Sequence, residues 1–294
     1  MSGRLFDRLL RSERAEFLLH RCIRQKIKIN YDCFHKFSPR IATRQDDIHA
    51  ALNLLYRSYL AVGKIEPNDL ELHMVPQTLL SRTEMIVCEY NGQIIGTLSL
   101  VKRDGLKLAC ESVYDIQDVL REGNPVYELS CLAIDIKFRT QSKEILYLLF
   151  KAAYDHVIAK QHHNATWLVV ANPKYAPVYK ALFGFNHLKD GRDVRYYNQN
   201  SKTPVNGLYL HLNEARKFLA RSYKNKVKEK NMCYFFTEYS LPNFPVQSIT
   251  NSVLDELYDV DKKYSFHLDQ EVEKIKLFVM ARVQNAHQNI RLAH

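Results

Sequence analysis

The stretch VVANPKYAPVYKALFGF, residues 169–185, predicts the end of a strand, a short helix and a glycine stop. The apolar residues at its start continue a run that begins at Ala165 and has the length of a buried strand. Pro173 and Pro177 favour the first turn of a helix, because proline has a preset φ angle and no N–H to leave unpaired there. Gly184 then ends the helix before another extended segment.

Two segments nearer the N-terminus predict more of the same sheet. The segment MIVCEYNGQIIGTLSLV, residues 85–101, has two β-rich runs around Asn91-Gly92, a pair that accommodates the positive φ angles of a two-residue hairpin turn. The segment YELSCLAIDIKFR, residues 127–139, predicts another strand. The apolar residues after it recur every four positions and predict a long helix: Ile145, Leu149, Ala153 and Val157.

The order of these elements predicts a mixed α/β sheet with helices on its faces. An earlier helix opens at Asp46-Asp47, and the segment VNGLYLHL, residues 205–212, closes the domain as a strand. The full order is strand, helices, hairpin, strand, helix, strand, helix, strand, which is typical of helices packed on a sheet. We divide the chain into an N-terminal basic amphipathic extension, a central α/β domain and a C-terminal helical extension, at residues 1–38, 39–213 and 214–294.

The chain is basic, with 42 Lys and Arg against 32 Asp and Glu and a net charge of +10 over 294 residues. Such a charge favours an anionic partner, such as nucleic acid, an anionic membrane or an acidic protein. The sequence has no helix-turn-helix, RNP or zinc motif, so we expect no nucleic-acid partner. The six cysteines form no CxxC pair and no Cys/His ligand spacing, which favours a reducing cytoplasm without a structural metal.

The N-terminal extension predicts a basic amphipathic helix followed by an irregular stretch. Acidic residues interrupt it, so it lacks the uncharged core of a secretory signal and is expected to stay on the protein. Its apolar residues either pack on the main domain or contact a membrane surface: Leu5, Leu9, Leu10, Phe17 and Leu18. No apolar run approaches the roughly eighteen residues of a membrane span. We expect a cytoplasmic protein, with peripheral contact at the inner face of a membrane left open.

The motif NPKYAPVYKALFGF, residues 172–185, resembles the closing motif of the GNAT acyltransferase superfamily in its spacing of Asn, Ala, Tyr and Gly-Phe. A narrower resemblance is to the N-acyl amino acid synthases, in which a strand similar to YELSCLAID precedes KFR, a long helix and this motif. The segment NLLYRSYL, residues 53–60, is similar to their first helix, and acyl-homoserine lactone synthases are similar more distantly. The resemblance covers about residues 41–213.

This resemblance implies an α/β fold of the GNAT-like type, a mixed sheet with flanking helices, extended by an N-terminal helix and C-terminal helices. It implies an enzyme that transfers a fatty acyl group from acyl carrier protein to the α-amine of a free amino acid. The acyl-phosphopantetheine thioester is then a co-substrate, and no bound cofactor is expected. The alternatives are a lactone-type synthase, an acyl-CoA-dependent N-acyltransferase and a catalytically silent acyl-binding protein.

Two departures from related patterns are informative. Ordinary GNAT enzymes hold the CoA diphosphate with a glycine-rich loop at the start of the long helix, where the backbone approaches the phosphates closely. The corresponding stretch here, RTQSKE at residues 139–144, has no glycine. Homoserine lactone synthases follow the Glu-x-Ser of the preceding strand with an arginine, whereas Cys131 stands here. Both departures favour the N-acyl amino acid synthases.

The catalytic residues implied by the resemblance begin with a base, because an amino acid's amine is mostly protonated at neutral pH. Glu128 is the predicted base, since burial among apolar strands raises the pKa of a carboxyl; an ion pair is the alternative. Ser130, on the same strand face, is predicted to orient Glu128 or a relay water, or else is an ordinary strand residue. Tyr179 is predicted to protonate the departing sulfur; a half-buried helix aromatic is its other interpretation.

The thioester carbonyl is expected, by analogy with GNAT enzymes, to be polarised by backbone N–H groups near Cys131 and Leu132. No His partner is recognisable beside Cys131, so a buried thiol is favoured over a covalent nucleophile.

Substrate binding is predicted for Arg57 on the first helix, as a fork for the amino acid carboxylate, with a surface ion pair as the alternative. Asn172 is predicted to bond to the amide groups of the pantetheine arm, or to cap the helix at Pro173. A docking face for the acidic carrier protein is predicted from basic residues that flank the thioester tunnel: Lys137, Arg139, Lys143, Lys174 and Lys180.

Overall fold

A computed structural model describes residues 13–75, 83–105, 107–192, 195 and 204–241, and the structural statements below concern those residues. They form one seven-stranded sheet in the order β1-β2-β3-β4-β5-β7-β6. The strands are β1 (Ser38–Ile41), β2 (Thr83–Tyr90), β3 (Gln93–Lys102), β4 (Val126–Ile134), β5 (Thr166–Ala171), β6 (Asn186–His187) and β7 (Asn206–His211). The α-helices are α1 (Glu13–Gln25), α2 (Tyr31–Phe34), α3 (Gln45–Leu60), α4 (Ser142–Ala159), α5 (Ala176–Phe183), α6 (Leu212–Ser222) and α7 (Met232–Thr237).

The neighbouring strands of this sheet are antiparallel, except that β4 and β5 run parallel. The β2–β3 hairpin turns at Asn91 and Gly92, whose φ angles are 49° and 77°. The predicted two-residue turn is therefore confirmed, because both central residues have the positive φ angles of the primed turn types. Gly184 ends α5 with a φ of 84°, which confirms the predicted glycine stop.

Helices cover both faces of the sheet. On one face, the apolar residues of α4 share a buried cluster with Leu129 of β4 and Val169 of β5. On the other face, the apolar residues of α3 share a second cluster with Val87 of β2 and Ala133 of β4. Along β2, successive side chains alternate between these two clusters, as a sheet buried on both faces requires. The predicted mixed α/β architecture is confirmed.

The N-terminal extension packs on the domain through α1, which contacts α5. Glu16 of α1 pairs with Lys180 of α5 and, at 3.4 Å, with Arg192. Lys180 is therefore largely enclosed and already neutralised, so its predicted place in a carrier docking face is wrong. Phe17 and Leu18 remain 58% and 51% exposed. Residues Leu5, Leu9 and Leu10 lie outside the described residues.

Both extensions contribute to the main core. Ile29 and Phe34, before β1, are buried in the same cluster as Phe235 and Phe236 of α7. α6 and α7 agree with the predicted helical character after residue 213. The rest of the predicted helical extension, residues 242–294, lies outside the described residues. Among the helices that are described, none combines the length and apolar character needed to cross a bilayer.

A buried polar network fastens the end of α4 to the sheet. Glu84 of β2 is buried, and its Oε2 lies 2.6 Å from Nε2 of His156 in α4. Lys160, at the end of the same helix, pairs with the other carboxylate oxygen. Nearby, the hydroxyl of Tyr127 is 2.7 Å from Nδ1 of His162. His156 and Lys160 hold the pKa of Glu84 below its usual value, despite the opposing effect of burial.

We predict that Glu84→Gln lowers the free energy of unfolding by about 3 kcal/mol at pH 7, because it leaves Lys160 without its counter-ion. The folded-state pKa of Glu84 lies below 4.5, so its stabilisation is present above that value and lost as the pH falls through the folded-state pKa. Urea unfolding should therefore show a parent–variant difference that persists from pH 7 down to about 4.5 and shrinks only below that pH. Asp118→Asn, which removes an exposed pair with Lys189 at 4.0 Å, is the matched control and should change stability little. Equal effects of the two variants would contradict the prediction.

Candidate active site

Strand β4 contains an extra residue opposite β3. The register pairs Ser130 with Ser99 and then Ala133 with Thr97, so β4 has one residue more than β3 between these two pairs. The irregularity lies at Cys131, whose φ of 51° is in the left-handed region that residues with side chains rarely adopt. A bulge of this kind leaves one residue unpaired and re-aims the side chains around it.

The bulge lies where two strands part. Parallel pairing of β4 with β5 stops at Leu129 opposite Val169, although β4 continues to Ile134 and β5 continues along β7. Backbone groups beyond this point no longer have a partner strand on one side. The predicted carbonyl-polarising groups near Cys131 and Leu132 therefore lie beside a gap in the middle of the sheet.

Glu128 is sealed inside the protein, two residues before Ser130 on β4. Its side chain is 1% exposed, and its Oε2 accepts a hydrogen bond from the backbone N–H of Cys110 at 3.1 Å. Burial raises the pKa of Glu128 to about 7, although the Cys110 N–H favours the charged form. No salt bridge joins it to a basic residue within the described ranges. A carboxyl whose pKa is close to neutrality is suited to accept a proton at physiological pH.

Two serine hydroxyls lie near Glu128 at the bulge. Ser130 faces Ser99 across the ladder, and both hydroxyls lie beside the Cys131 thiol. Within the part of the chain that is described, Ser99 Oγ is buried without a hydrogen-bond partner, and Ser130 makes no hydrogen bond to Glu128. The orienting role of Ser130 stays a prediction. Burial raises the pKa of Cys131 to about 11, so its thiol is protonated at neutral pH and a poor nucleophile.

Two tyrosines from different helices approach the bulge. Tyr59 of α3 interacts electrostatically with the Cys131 thiol and with the phenol of Tyr179 on α5. The ring of Tyr179 packs against Phe185 and Phe150, with centroid distances of 5.6 Å and 5.9 Å. Burial raises the pKa of Tyr179 to about 12, so its hydroxyl keeps its proton and has one to donate.

Arg57 and Asn172 both have partners within the protein. Arg57 Nη1 is 3.4 Å from Asp135 Oδ2, and its Nε donates to a side chain one turn earlier on α3. Asn172 Oδ1 accepts a hydrogen bond from the Lys174 N–H at 3.1 Å and so caps the 3₁₀ helix Pro173–Tyr175. These contacts agree with the ion-pair and capping interpretations, and the substrate-binding roles of both residues stay predictions.

The glycine-free stretch before α4 forms a 3₁₀ helix, Ile136–Gln141, that runs directly into α4. Arg139 and Lys143 are exposed there, and Lys143 Nζ is 3.8 Å from a carboxylate oxygen of Glu144. Glu144 lies in the first turn of α4, where its negative charge opposes binding of a diphosphate at the helix N-terminus. Ile136 beside these residues is 72% exposed.

Three contributors to the site escape sequence reasoning: Cys110, Ser99 and Tyr59. Cys110 contributes a backbone N–H from the segment between β3 and β4, and no sequence pattern marks such an amide as a partner of Glu128. Ser99 lies in a segment whose sequence predicts only a strand, and Tyr59 lies in one whose apolar spacing predicts only a helix. Neither pattern indicates a role in the site. Among the described residues, no three His, Cys, Asp or Glu side chains are arranged to hold a metal ion.

Comparisons with known proteins identify the family and the fold of the chain. The family model described as N-acyl amino acid synthase FeeM matches residues 50–209, more than half of the chain. The structure of FeeM, an N-acyl amino acid synthase from uncultured soil microbes, is similar with a TM-score of 0.51 and 17% identity, over 63% of this chain and 96% of FeeM. The CoA-dependent acyl-homoserine lactone synthase BjaI is similar with a TM-score of 0.51 and 8% identity, over 76% of this chain and 99% of BjaI. No curated protein sequence matches the chain.

The region that the family model matches contains Glu128, the bulge at Cys131 and Tyr179. Similarity to solved structures at such low identity shows the fold, which is GNAT-like as the sequence motif predicted. The protein is thus an N-acyltransferase, and the chain belongs to the FeeM family of N-acyl amino acid synthases.

Proposed function

We propose that this enzyme transfers a fatty acyl group from acyl carrier protein to the α-amine of a free amino acid and releases an N-acyl amino acid. The observation that carries the proposal is the buried Glu128 carboxyl, whose pKa is raised to about 7 beside a backbone bulge and a gap in the sheet. Amine acylation needs a base of this strength, because the ammonium form of the acceptor has no lone pair to attack with.

In the proposed reaction the acceptor's surplus proton passes to Glu128, through a bridging water or the hydroxyl of Ser130 because the carboxyl itself is sealed from solvent. The amine nitrogen then forms a bond to the thioester carbon. Backbone N–H groups near Cys131 and Leu132 stabilise the negative charge that develops on the carbonyl oxygen. Collapse of the intermediate breaks the carbon–sulfur bond, and the Tyr179 hydroxyl gives its proton to the departing thiolate. The amine nitrogen, now bonded to the acyl carbon, loses its second proton through solvent to the Tyr179 phenolate, which restores the hydroxyl and leaves a neutral amide.

The choice of carrier protein over CoA rests on the stretch before α4. CoA presents a diphosphate, whereas phosphopantetheine on a carrier protein ends in a single phosphodiester on an acidic protein. A 3₁₀ helix without glycine and the Glu144 carboxylate are poorly suited to a diphosphate, while exposed Arg139 and Lys143 suit an acidic surface. Acyl-CoA is the second candidate donor, because BjaI, which has a similar fold, is described as CoA-dependent.

We predict that Glu128→Gln lowers kcat by about a hundredfold or more, because the amide keeps the shape but cannot accept the proton. The activity of the parent should fall as the pH drops below about 7, where Glu128 becomes protonated, and the variant should recover partly at high pH as free amine accumulates. Steady-state rates from pH 5.5 to 9 measure both effects. Parent-like activity of the variant at pH 7 would exclude Glu128 as the base.

The control for this experiment is Glu84→Gln, which alters a second buried carboxyl in the same sheet. That variant should lose stability yet keep kcat, because Glu84 pairs with His156 and Lys160 away from the bulge. Glu128→Gln should instead lose kcat and keep its stability. The folded-state pKa of Glu128 lies above its unfolded-state value of 4.5, so the parent loses stability as the pH rises towards 7, and the neutral amide does not.

We predict that Tyr179→Phe slows the chemical step about tenfold to a hundredfold, while the KM for the acyl donor stays nearly unchanged, because only the proton donor is removed. Pre-steady-state rates of acyl transfer measure the step directly. Tyr175→Phe is the control, since that side chain is 52% exposed and lies just before α5. A large rise in donor KM with kcat intact would show that Tyr179 is a packing or binding residue instead.

We predict that acyl carrier protein thioesters give a higher kcat/KM than the matching acyl-CoA, and that the advantage shrinks between about 50 and 300 mM salt as docking charges are screened. Arg139→Glu and Lys143→Glu should weaken use of the carrier protein more than use of a small pantetheine thioester. Lys224→Glu, at an exposed lysine after α6, is the control. If acyl-CoA is turned over as well as the carrier-protein thioester at every salt concentration, the CoA-dependent alternative is favoured.

A further inference from the structure

A lysine beside the bulge has no role in the reaction proposed above. The chain turns back after α3 at Gly63, and the N–H of Lys64 donates to the Tyr59 carbonyl oxygen at 2.9 Å. Lys64 Nζ then lies 4.5 Å from the centroid of the Tyr59 ring. Since Tyr59 packs against the buried cluster that contains Cys131, and interacts electrostatically with Tyr179, this lysine lies near the bulge and the predicted catalytic groups.

The loop that carries Lys64 is held firmly on α3. Asn53 Nδ2 donates to the Glu71 carbonyl oxygen at 2.9 Å, and the N–H of His73 donates to the Leu52 carbonyl oxygen at 3.2 Å. Leu72, between them, is buried in the cluster formed by α3 and the sheet. These contacts hold the end of the loop on α3, and the bond from the Lys64 N–H holds the backbone of Lys64 there, while the Lys64 side chain itself is exposed.

The positive charge at this place has no ion-pair partner in the part of the chain that the structure describes. Among the described residues, neither Lys64 nor Lys174 has a carboxylate within ion-pair distance, and the two lysines repel each other. Lys64 is exposed overall, but desolvation of its ammonium group and, to a smaller extent, that repulsion lower its pKa, while the nearby Cys131 favours its charged form. Arg57 differs, because Asp135 already partners its guanidinium at 3.4 Å.

We propose that Lys64, assisted by Lys174, binds the α-carboxylate of the acceptor amino acid and so selects amino acids over simple amines. This inference rests on the proposed function and deepens it. One carbon atom separates the carboxylate from the α-amine, so a carboxylate held at Lys64 brings the amine towards the bulge where the thioester carbonyl is placed. One carboxylate also supplies a counter-charge that no described carboxylate gives these lysines. The ring of Tyr59, 5.0 Å from that of His73, forms the adjoining wall.

The test compares one amino acid acceptor, the best in a panel, with the amine formed by removing its carboxylate. Lys64→Met should raise the KM for the amino acid about tenfold to a hundredfold, which is the loss expected for a charge-assisted contact. The KM for the amine and the KM for the acyl donor should stay nearly unchanged. Lys174→Met should have a smaller effect in the same direction, and Lys64→Arg should restore part of the loss. Lys228→Met, at a lysine 4.8 Å from the Tyr31 ring, is the matched control.

Equal losses with the amino acid and the amine would overturn the inference, as would a selective loss in Arg57→Ala with none in Lys64→Met. A rise in donor KM instead would assign the two lysines to the phosphate of the donor and would also overturn it. The proposed function fails separately, when the parent acylates simple amines but no amino acid. If the parent uses amino acids and Lys64→Met leaves the KM for the amino acid unchanged, only the carboxylate site is refuted.

Discussion

The parting of β4 from β5 beyond Leu129 and Val169 is the constraint on which the active site depends. Parallel neighbours inside a sheet normally satisfy each other's N–H and C=O groups, so strands that separate leave backbone groups facing a gap. Helices on both faces hold the sheet on each side of this gap, and the bulge at Cys131 breaks the ladder to β3 at the same level. We propose that the thioester arm lies in this gap, because backbone groups there have no neighbouring strand on one side.

Two buried carboxyls in this one sheet illustrate how environment decides the role of a side chain. Glu84 is neutralised by His156 and Lys160, so its pKa falls and it fastens α4 to the sheet. Glu128 has a backbone N–H of Cys110 but, within the described ranges, no cation, so burial dominates and its pKa rises. The same functional group thus stabilises the fold in one place and is prepared to take up a proton in the other.

The basic residues of the chain also divide into those with a structural role and those available to a ligand. Arg57 and Lys180 are balanced by Asp135 and Glu16, and they join parts of the protein to one another. Lys64, near the gap, lacks such a partner among the described residues. Net charge alone favours an anionic ligand of some kind, but only the pairing of individual charges distinguishes structural cations from those available to a substrate.

The order of the elements, the hairpin at Asn91-Gly92 and the helix end at Gly184 follow from the sequence, because φ preferences and apolar spacing act between residues close along the chain. The family motifs likewise identify Glu128 as the candidate base. Its raised pKa, by contrast, needs the tertiary structure, since burial and the Cys110 N–H come from residues distant in the chain. The position of Lys64 beside the bulge in β4 likewise depends on the tertiary structure. Electrostatics depends on distance and burial in space, and neither is encoded in local spacing.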